Sequence, residues 1–278
     1  MQQWQTYGHK AVKNILNRQL QSGQLAHAYL FQGPEGIGKK TLASELAKKV
    51  LGTEKLENHP DFQILEIEGE ISIESARDFV AKLAFKPFLG AKKVAIINNA
   101  ENLNQQSSNA LLKTLEEPNT GTVIILIAGS GRPLPTIVSR CQVFNFSSFT
   151  QTQLREFSEQ GKIFVDDEII SLSFGSISRL LRLSENKEFL QNEQELMEKY
   201  SQIAQMPIAE KILTISQYSE MENNELEKSL LSWLNWQSAD LAQQPKNFVK
   251  LAALSQSILD IKMNKNKKLL LQSLFLKI

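Results

Sequence analysis

The sequence predicts an α/β fold: a parallel five-stranded sheet flanked by helices fills the first half, and helices alone make up the second. Three observations carry this. Strand-like and helical segments alternate as far as Phe149, which is the sequence form of a parallel sheet with helical crossovers. A glycine-rich turn follows the first strand and opens a helix. From Thr150 onward the strand pattern stops while helical spacing continues.

Taken in order, helical period fits Lys10 to Ser22, and "AYLFQ" (Ala28 to Gln32) is a short apolar strand running into the glycine turn. "KTLASELAKKVLG" is a helix ended by Gly52. "DFQILEIE" alternates apolar and polar residues as a second strand, and "SIESARDFVAKLAF" is a helix capped by Ser72 or Ser75. "KKVAIIN" is a buried strand, "QSSNALLKTLEEP" a helix closed by Pro118, "TVIILIA" another buried strand and "CQVFNF" the fifth. The later segments, among them "TQTQLREFSEQ", "SISRLLRLSEN" and "EQELMEKYSQIAQM", are helices, with breaks at Glu185 to Lys187 and at Met206-Pro207. No internal repeat or low-complexity tract is present.

Composition narrows the function. With 278 residues, 42% of them hydrophobic, the chain can fill an ordinary soluble core. Thirty-one basic residues against 30 acidic give a net charge of +1, so bulk charge supplies no attraction to nucleic acid or membrane. The cluster Lys262, Lys265, Lys267 and Lys268 reads as a solvated helix junction. The single cysteine, Cys141, excludes an internal disulfide and a multi-cysteine zinc site, and is read as a small buried thiol. "MQQWQTYGHKAVK" has no apolar central run and so is no secretory signal, and "VIILIA" is far short of the ~20 residues of a membrane helix. A cytoplasmic protein is expected.

The chemistry concentrates in "FQGPEGIGKKT". Gly33, Gly36, Gly38 and Lys39 follow the pattern of a phosphate-cradling loop in its required context, between strand and helix. Backbone N–H groups of such a turn surround phosphate oxygens, and Lys39 reaches the outer phosphates. The next position should hold the hydroxyl that ligates magnesium. It holds Lys40, an ammonium with donors only, and Thr41 comes one residue late, turned by about 100° on the helix. At the end of the third strand, where a motor enzyme places an aspartate for magnesium and a glutamate for water, stand Asn98 and Asn99. Glu101, two residues on, is a weak substitute. Three losses that all strike hydrolysis argue that this chain does not turn over ATP.

The run "HAYLFQGPEGIGK", joined to "NALLKTLEEP" and "TIVSRC", resembles the bacterial clamp-loader family of AAA+ proteins, with the motifs in that family's order over about the first 145 residues. "HPDF" (His59 to Phe62) and the degraded pocket resemble its delta-prime branch, whereas its gamma/tau subunits keep the metal hydroxyl and an Asp-Glu pair. The resemblance implies an AAA+ core over residues 1–149, a helical lid over 150–186 and an all-α collar for oligomerisation over 187–278, although this last region is short for a collar. It implies that Arg140, in "SRC", is an arginine finger reaching into a neighbouring subunit's ATP site, and that Ser130 and Arg179, the latter in "GSISR", stand near the sensor positions. Implied partners are the gamma/tau ATPase subunits and the delta subunit, with the sliding clamp and primer-template DNA reached through the complex. No cofactor is required, and the cradle leaves room for residual ATP or ADP binding without hydrolysis, with Lys40 mimicking a cation. The four-cysteine zinc module of many delta-prime relatives is absent, because "LGTEKLENHPD" has no cysteine. Two other readings compete. One is an active gamma/tau-type ATPase; the other is a P-loop phosphotransferase, which leaves "SRC" and "NALLKTLEEP" unexplained.

Overall fold

The structure, a computed structural model, describes residues 3–67, 69, 73–116, 119–129, 131, 133–241, 248–262 and 265–277. They fall into two compact units. The first comprises residues 1–149 with 176–178, and the second 150–175 with 179–278.

In the first unit α1 (Lys10–Ser22), β1 (Ala28–Gln32), α2 (Lys39–Leu51), β2 (Phe62–Glu66), α3 (Ile73–Leu83), β3 (Lys93–Asn98), α4 (Gln105–Glu116), β4 (Thr122–Ala128), α5 (Pro135–Val138) and β5 (Gln142–Asn145) follow one another. The five strands pair in parallel in the order β2-β3-β4-β1-β5. All seven residues of β4 are buried, as the unbroken apolar run "TVIILIA" requires of a strand covered on both faces. One face of the sheet packs Leu30, Ile97 and Leu126 against Leu111 and Leu115 of α4 and Ile137 of α5. Tyr29 and Phe31 make ring contacts with Phe144. The Tyr29 hydroxyl also ties β1 to α1, donating to Gln19 Oε1 at 2.9 Å and accepting from the Ala26 N–H at 2.9 Å.

Two capping expectations change. Helix α3 already runs from Ile73, so Ser75 lies inside it and cannot cap it, while Ser72 lies outside the described residues. Helix α4 is described to Glu116, and Pro118 also lies outside. Gly52 ends α2 in the left-handed conformation at φ 66°, as read from the sequence. The "HPDF" motif turns out to anchor a loop. Asp61, 1% exposed, accepts backbone N–H groups of Phe88 (2.5 Å) and Leu89 (2.8 Å). Burial raises its carboxyl pKa, but those two bonds and the charges of His59 and Lys93 outweigh it and hold the pKa below the usual value.

The second unit has helices and no strand among its described residues: α6 (Gln151–Gly161), α7 (Asp167–Leu172), α8 (Ile177–Glu185), α9 (Lys187–Gln205), α10 (Ile208–Glu220), α11 (Asn223–Leu241), α12 (Phe248–Lys262) and α13 (Lys267–Phe275). Residues Ile177 and Ser178 of α8 are grouped with the first unit. Local chemistry sets the boundaries. Thr150 and Gln153 form a capping box on α6, and Asp166, Asn186 and Asn266 cap α7, α9 and α13. The breaks read near residues 186 and 207 are thus helix ends, one capped by Asn186 and one carrying Pro207 as N-cap. Tyr200, Ile203, Leu230, Trp233, Leu271 and Phe275 belong to the core, where Trp233 Nε1 donates to Leu196 O at 2.9 Å. In the lysine cluster, Lys265 pairs with Asp260 at 2.7 Å and Lys267 donates to Met221 O. No helix among the described residues is long and apolar enough to cross a membrane.

Candidate functional site

The phosphate loop begins where β1 ends, and the Gly33 N–H donates to Ala128 O of β4 at 3.3 Å. Gly33 sits at φ 154°, where a Cβ would come within 2.3 Å of Phe146 O; backbone leaves no room for a side chain. Gly36, at φ 70°, meets the Ser176 hydroxyl at 2.1 Å from an added Cβ, and its carbonyl accepts from the Ser178 N–H at 2.9 Å. Gly38 caps α2 and so hands the chain to a helix whose first residues are Lys39 and Lys40.

The loop borders an open cleft of about 580 Å³ whose lining includes Gly38, Lys39, Lys40, Asn98, Asn99 and Gly129. Thr41, Gly36 and Ser178 also line it. The cleft therefore opens at the carboxyl ends of β3 and β4, where a parallel α/β sheet places its ligands. Lys39 is only 6% exposed and donates to Gly33 O at 2.7 Å and to Pro34 O. Burial lowers its pKa, against the opposing charges of Glu35 and Glu101.

Lys40 is neither free nor a metal ligand. Its Nζ lies 2.6 Å from Glu66 Oε1, and Asn98 Nδ2 donates to Glu66 Oε2 at 2.8 Å. The sheet dictates this: Glu66 of β2 and Asn98 of β3 are register partners at the strand ends. Burial raises the Glu66 pKa, but the hydrogen bonds from Lys40 and Asn98 and the Lys40 charge bring it below the ordinary glutamate value. Asn99, left-handed at φ 57°, donates to Ile67 O at 3.0 Å. Glu101 spends Oε1 on the Gly129 N–H at 2.7 Å, while its buried Oε2 has no hydrogen-bond partner.

Arg140 is not among the residues lining the cleft. It follows α5, and its guanidinium bonds to Glu116 at the end of α4, through Nε at 2.8 Å and through Nη2. Nη1 donates to Thr136 O at 2.8 Å and to the Ser139 hydroxyl at 3.2 Å. Cys141 is half-buried rather than fully buried; burial pushes its thiol up to about 12, which leaves it protonated and unreactive near neutral pH. Ser130 lies outside the described residues. Arg179 belongs to the second unit, where it pairs with Glu193 at 2.6 Å, donates to Leu172 O at 2.6 Å and lies over the Phe174 ring. The lining residue is its predecessor Ser178, one helical step of about 100° away.

Sequence reasoning missed Glu66 and Glu116, the carboxylates that hold Lys40 and Arg140. The first was recoverable, since pairing "FQILE" with "KVAIIN" in parallel sets Glu66 beside Asn98. The second lay inside a quoted motif but needs helix packing to reach Arg140.

A family model described as DNA polymerase III, delta subunit, matches residues 8–150, just over half of the chain. The chain belongs to that family. It is a clamp-loader AAA+ family, and this chain's parallel sheet and flanking helices have the corresponding fold. The chain is 39% identical over 138 residues to the DNA polymerase III subunit delta' of Pseudomonas aeruginosa, covering 42% of each protein. It is 30% identical over 213 residues to the Bacillus subtilis delta' subunit, covering 70% of this chain and 64% of that one. The matched region thus spans less than two thirds of the length of either relative. Tau and gamma subunits are also among the proteins similar to it. The crystal structure of a DNA polymerase III gamma subunit-related protein from Thermotoga maritima superposes with a TM-score of 0.51 at 20% identity, over 94% of this chain and 97% of that one, a likeness of fold.

Proposed function

We propose that this clamp-loader family member is of the delta-prime type: it does not hydrolyse ATP itself and supplies Arg140 to the ATP site of a neighbouring subunit while a sliding clamp is loaded at primer-template DNA. Its partners are gamma/tau ATPase subunits and a delta subunit, in the cytoplasm. Residues 150–186 act as a lid and 187–278 as the collar that holds the assembly.

The network at Glu66 carries this reading. Phosphoryl transfer in P-loop enzymes needs a loop hydroxyl and a strand-end aspartate on magnesium. Here the first is the Lys40 ammonium and the second the Asn98 amide, and both are turned onto Glu66, the carboxylate beside them. A magnesium ion does not fit that set: its place is filled by a cation, and the carboxylate of the set, Glu66, is engaged on both oxygens. The cradle itself keeps its glycine geometry, which is compatible with residual ATP or ADP binding. Arg140 fits the outward role because a guanidinium carries fixed, planar donors matched to phosphate oxygens. A gamma/tau-type motor is the alternative that the relatives leave open, and Lys40, Asn98 and Asn99 speak against it.

The test is reconstitution with the ATPase subunits. Arg140→Ala should lower clamp- and DNA-stimulated ATP turnover of the complex at least tenfold while assembly survives, and the purified chain should turn over no ATP with magnesium. Undiminished turnover in the Arg140→Ala complex removes the finger; brisk hydrolysis by the chain alone restores the motor reading.

A further inference from the structure

Arg140 has five N–H donors, and four of them are spent inside the chain. Nε and Nη2 share Glu116 Oε1, and Nη1 serves Thr136 O and the Ser139 hydroxyl. The arrangement leaves one N–H, on Nη2. A phosphate grips a guanidinium best with two parallel bonds along one edge. Neither edge qualifies here: the Nε/Nη2 edge is taken by Glu116, and the Nη1/Nη2 edge has lost its Nη1 member. The carboxylate thus sits where a phosphate would have to sit. It is also easily displaced, since the Glu116 side chain is 48% exposed and that of Arg140 is 29% exposed, and exposed ion pairs are weak.

We propose that Glu116 gates Arg140, holding the phosphate-binding edge of the guanidinium in an occupied state until a neighbour's nucleotide displaces it. The gate rests on the finger reading, and its consequence is specific. Without clamp and DNA the contact to Glu116 competes with the contact to phosphate, and basal turnover is held down. In the fully stimulated complex the phosphate wins and Glu116 has little effect. The Thr136 carbonyl and Ser139 contacts to Nη1 keep the side chain near its place beside α5 during the exchange.

Two measurements test this. In the isolated chain, modification of Arg140 by an arginine-selective dicarbonyl reagent, followed by peptide mass spectrometry, should be at least threefold faster in Glu116→Gln than in wild type; an equal rate overturns the tether. In the reconstituted complex, Glu116→Gln should raise basal ATP turnover at least threefold, leave stimulated turnover within twofold, and lose both effects when combined with Arg140→Ala. Basal turnover that is unchanged or lower overturns the gate, and if Arg140→Ala still abolishes stimulation the finger survives without it. If Arg140→Ala has no effect, the finger fails and the gate falls with it. Matching thermal melting of Glu116→Gln and wild type confirms that the variant is folded, which its exposure leads one to expect.

Discussion

The two basic residues that matter in the first unit meet the same kind of partner with opposite results. Lys40 and Arg140 each rest on one glutamate, Glu66 and Glu116, from another element. At Glu66 a second donor, Asn98, takes the remaining oxygen, so the lysine is locked into a closed triad at the mouth of the chain's own cleft. At Glu116 both arginine bonds fall on Oε1, and among the described residues no second residue's donor is seen on that oxygen. The two carboxylates carry the same number of bonds and differ in their distribution: Glu66 has a donor on each oxygen, whereas Glu116 takes both arginine bonds on one.

Breaking the contrast should give its largest effect in the complex. Arg140→Ala should cost at least tenfold in stimulated turnover, whereas Lys40→Ala should cost less than twofold; comparable losses would erase the distinction. Sharpening it from the other side, the combined change Lys40→Thr, Asn98→Asp and Asn99→Glu should make ATP affinity depend on magnesium by at least tenfold in calorimetric titrations. Wild-type affinity should change less than twofold with the metal, and a strongly magnesium-dependent wild type contradicts the closed triad.

Stability gives smaller effects. Asp61→Ala leaves two backbone N–H groups without their acceptor and should destabilise the protein by about 2 kcal/mol in urea unfolding. Glu66→Gln, on a side chain 39% exposed, should cost only about 0.5 kcal/mol once solvent screening is allowed for. The smallest effect is at His9. Its Nε2–H donates to Ile37 O at 2.7 Å, and burial, with the charges of Lys13 and Lys39, lowers its pKa below 6.5 despite that bond. The unfolded chain therefore takes up the proton first. Stability from this group is complete above pH 6.5 and is lost as pH falls toward the lower folded value. His9→Gln should flatten the fall in stability between pH 7 and 5, and an unchanged slope argues that His9 is not its source.

Most of the first unit was legible because a parallel sheet leaves unmistakable text: "AYLFQ", "KVAIIN" and "TVIILIA" are apolar without alternation, and each is followed by a helix with a clear face. The phosphate loop was legible for the same reason, since its glycines answer to backbone geometry that only a few residues satisfy. What the text withheld was the company of each side chain. Glu66 and Lys40 are 26 residues apart, Glu116 and Arg140 are 24, and only strand register and helix packing bring them together. Ser178 and Arg179 show a different limit. Helical phase decides which neighbour faces the cleft, and a pattern of spacing cannot fix phase to one residue.

One feature of the sheet joins the two sites mechanically. Strand β5 begins two residues after Arg140 and is bonded along β1 from Tyr29↔Gln142 to Gln32↔Asn145, just before Gly33. The root of the arginine and the mouth of the loop therefore ride on two adjoining rails, separated by four residues of strand, or roughly 13 Å. Neither end can slide along its rail without dragging hydrogen bonds that the other end shares, so this short ladder limits how far the backbone beside Arg140 can shift relative to the loop.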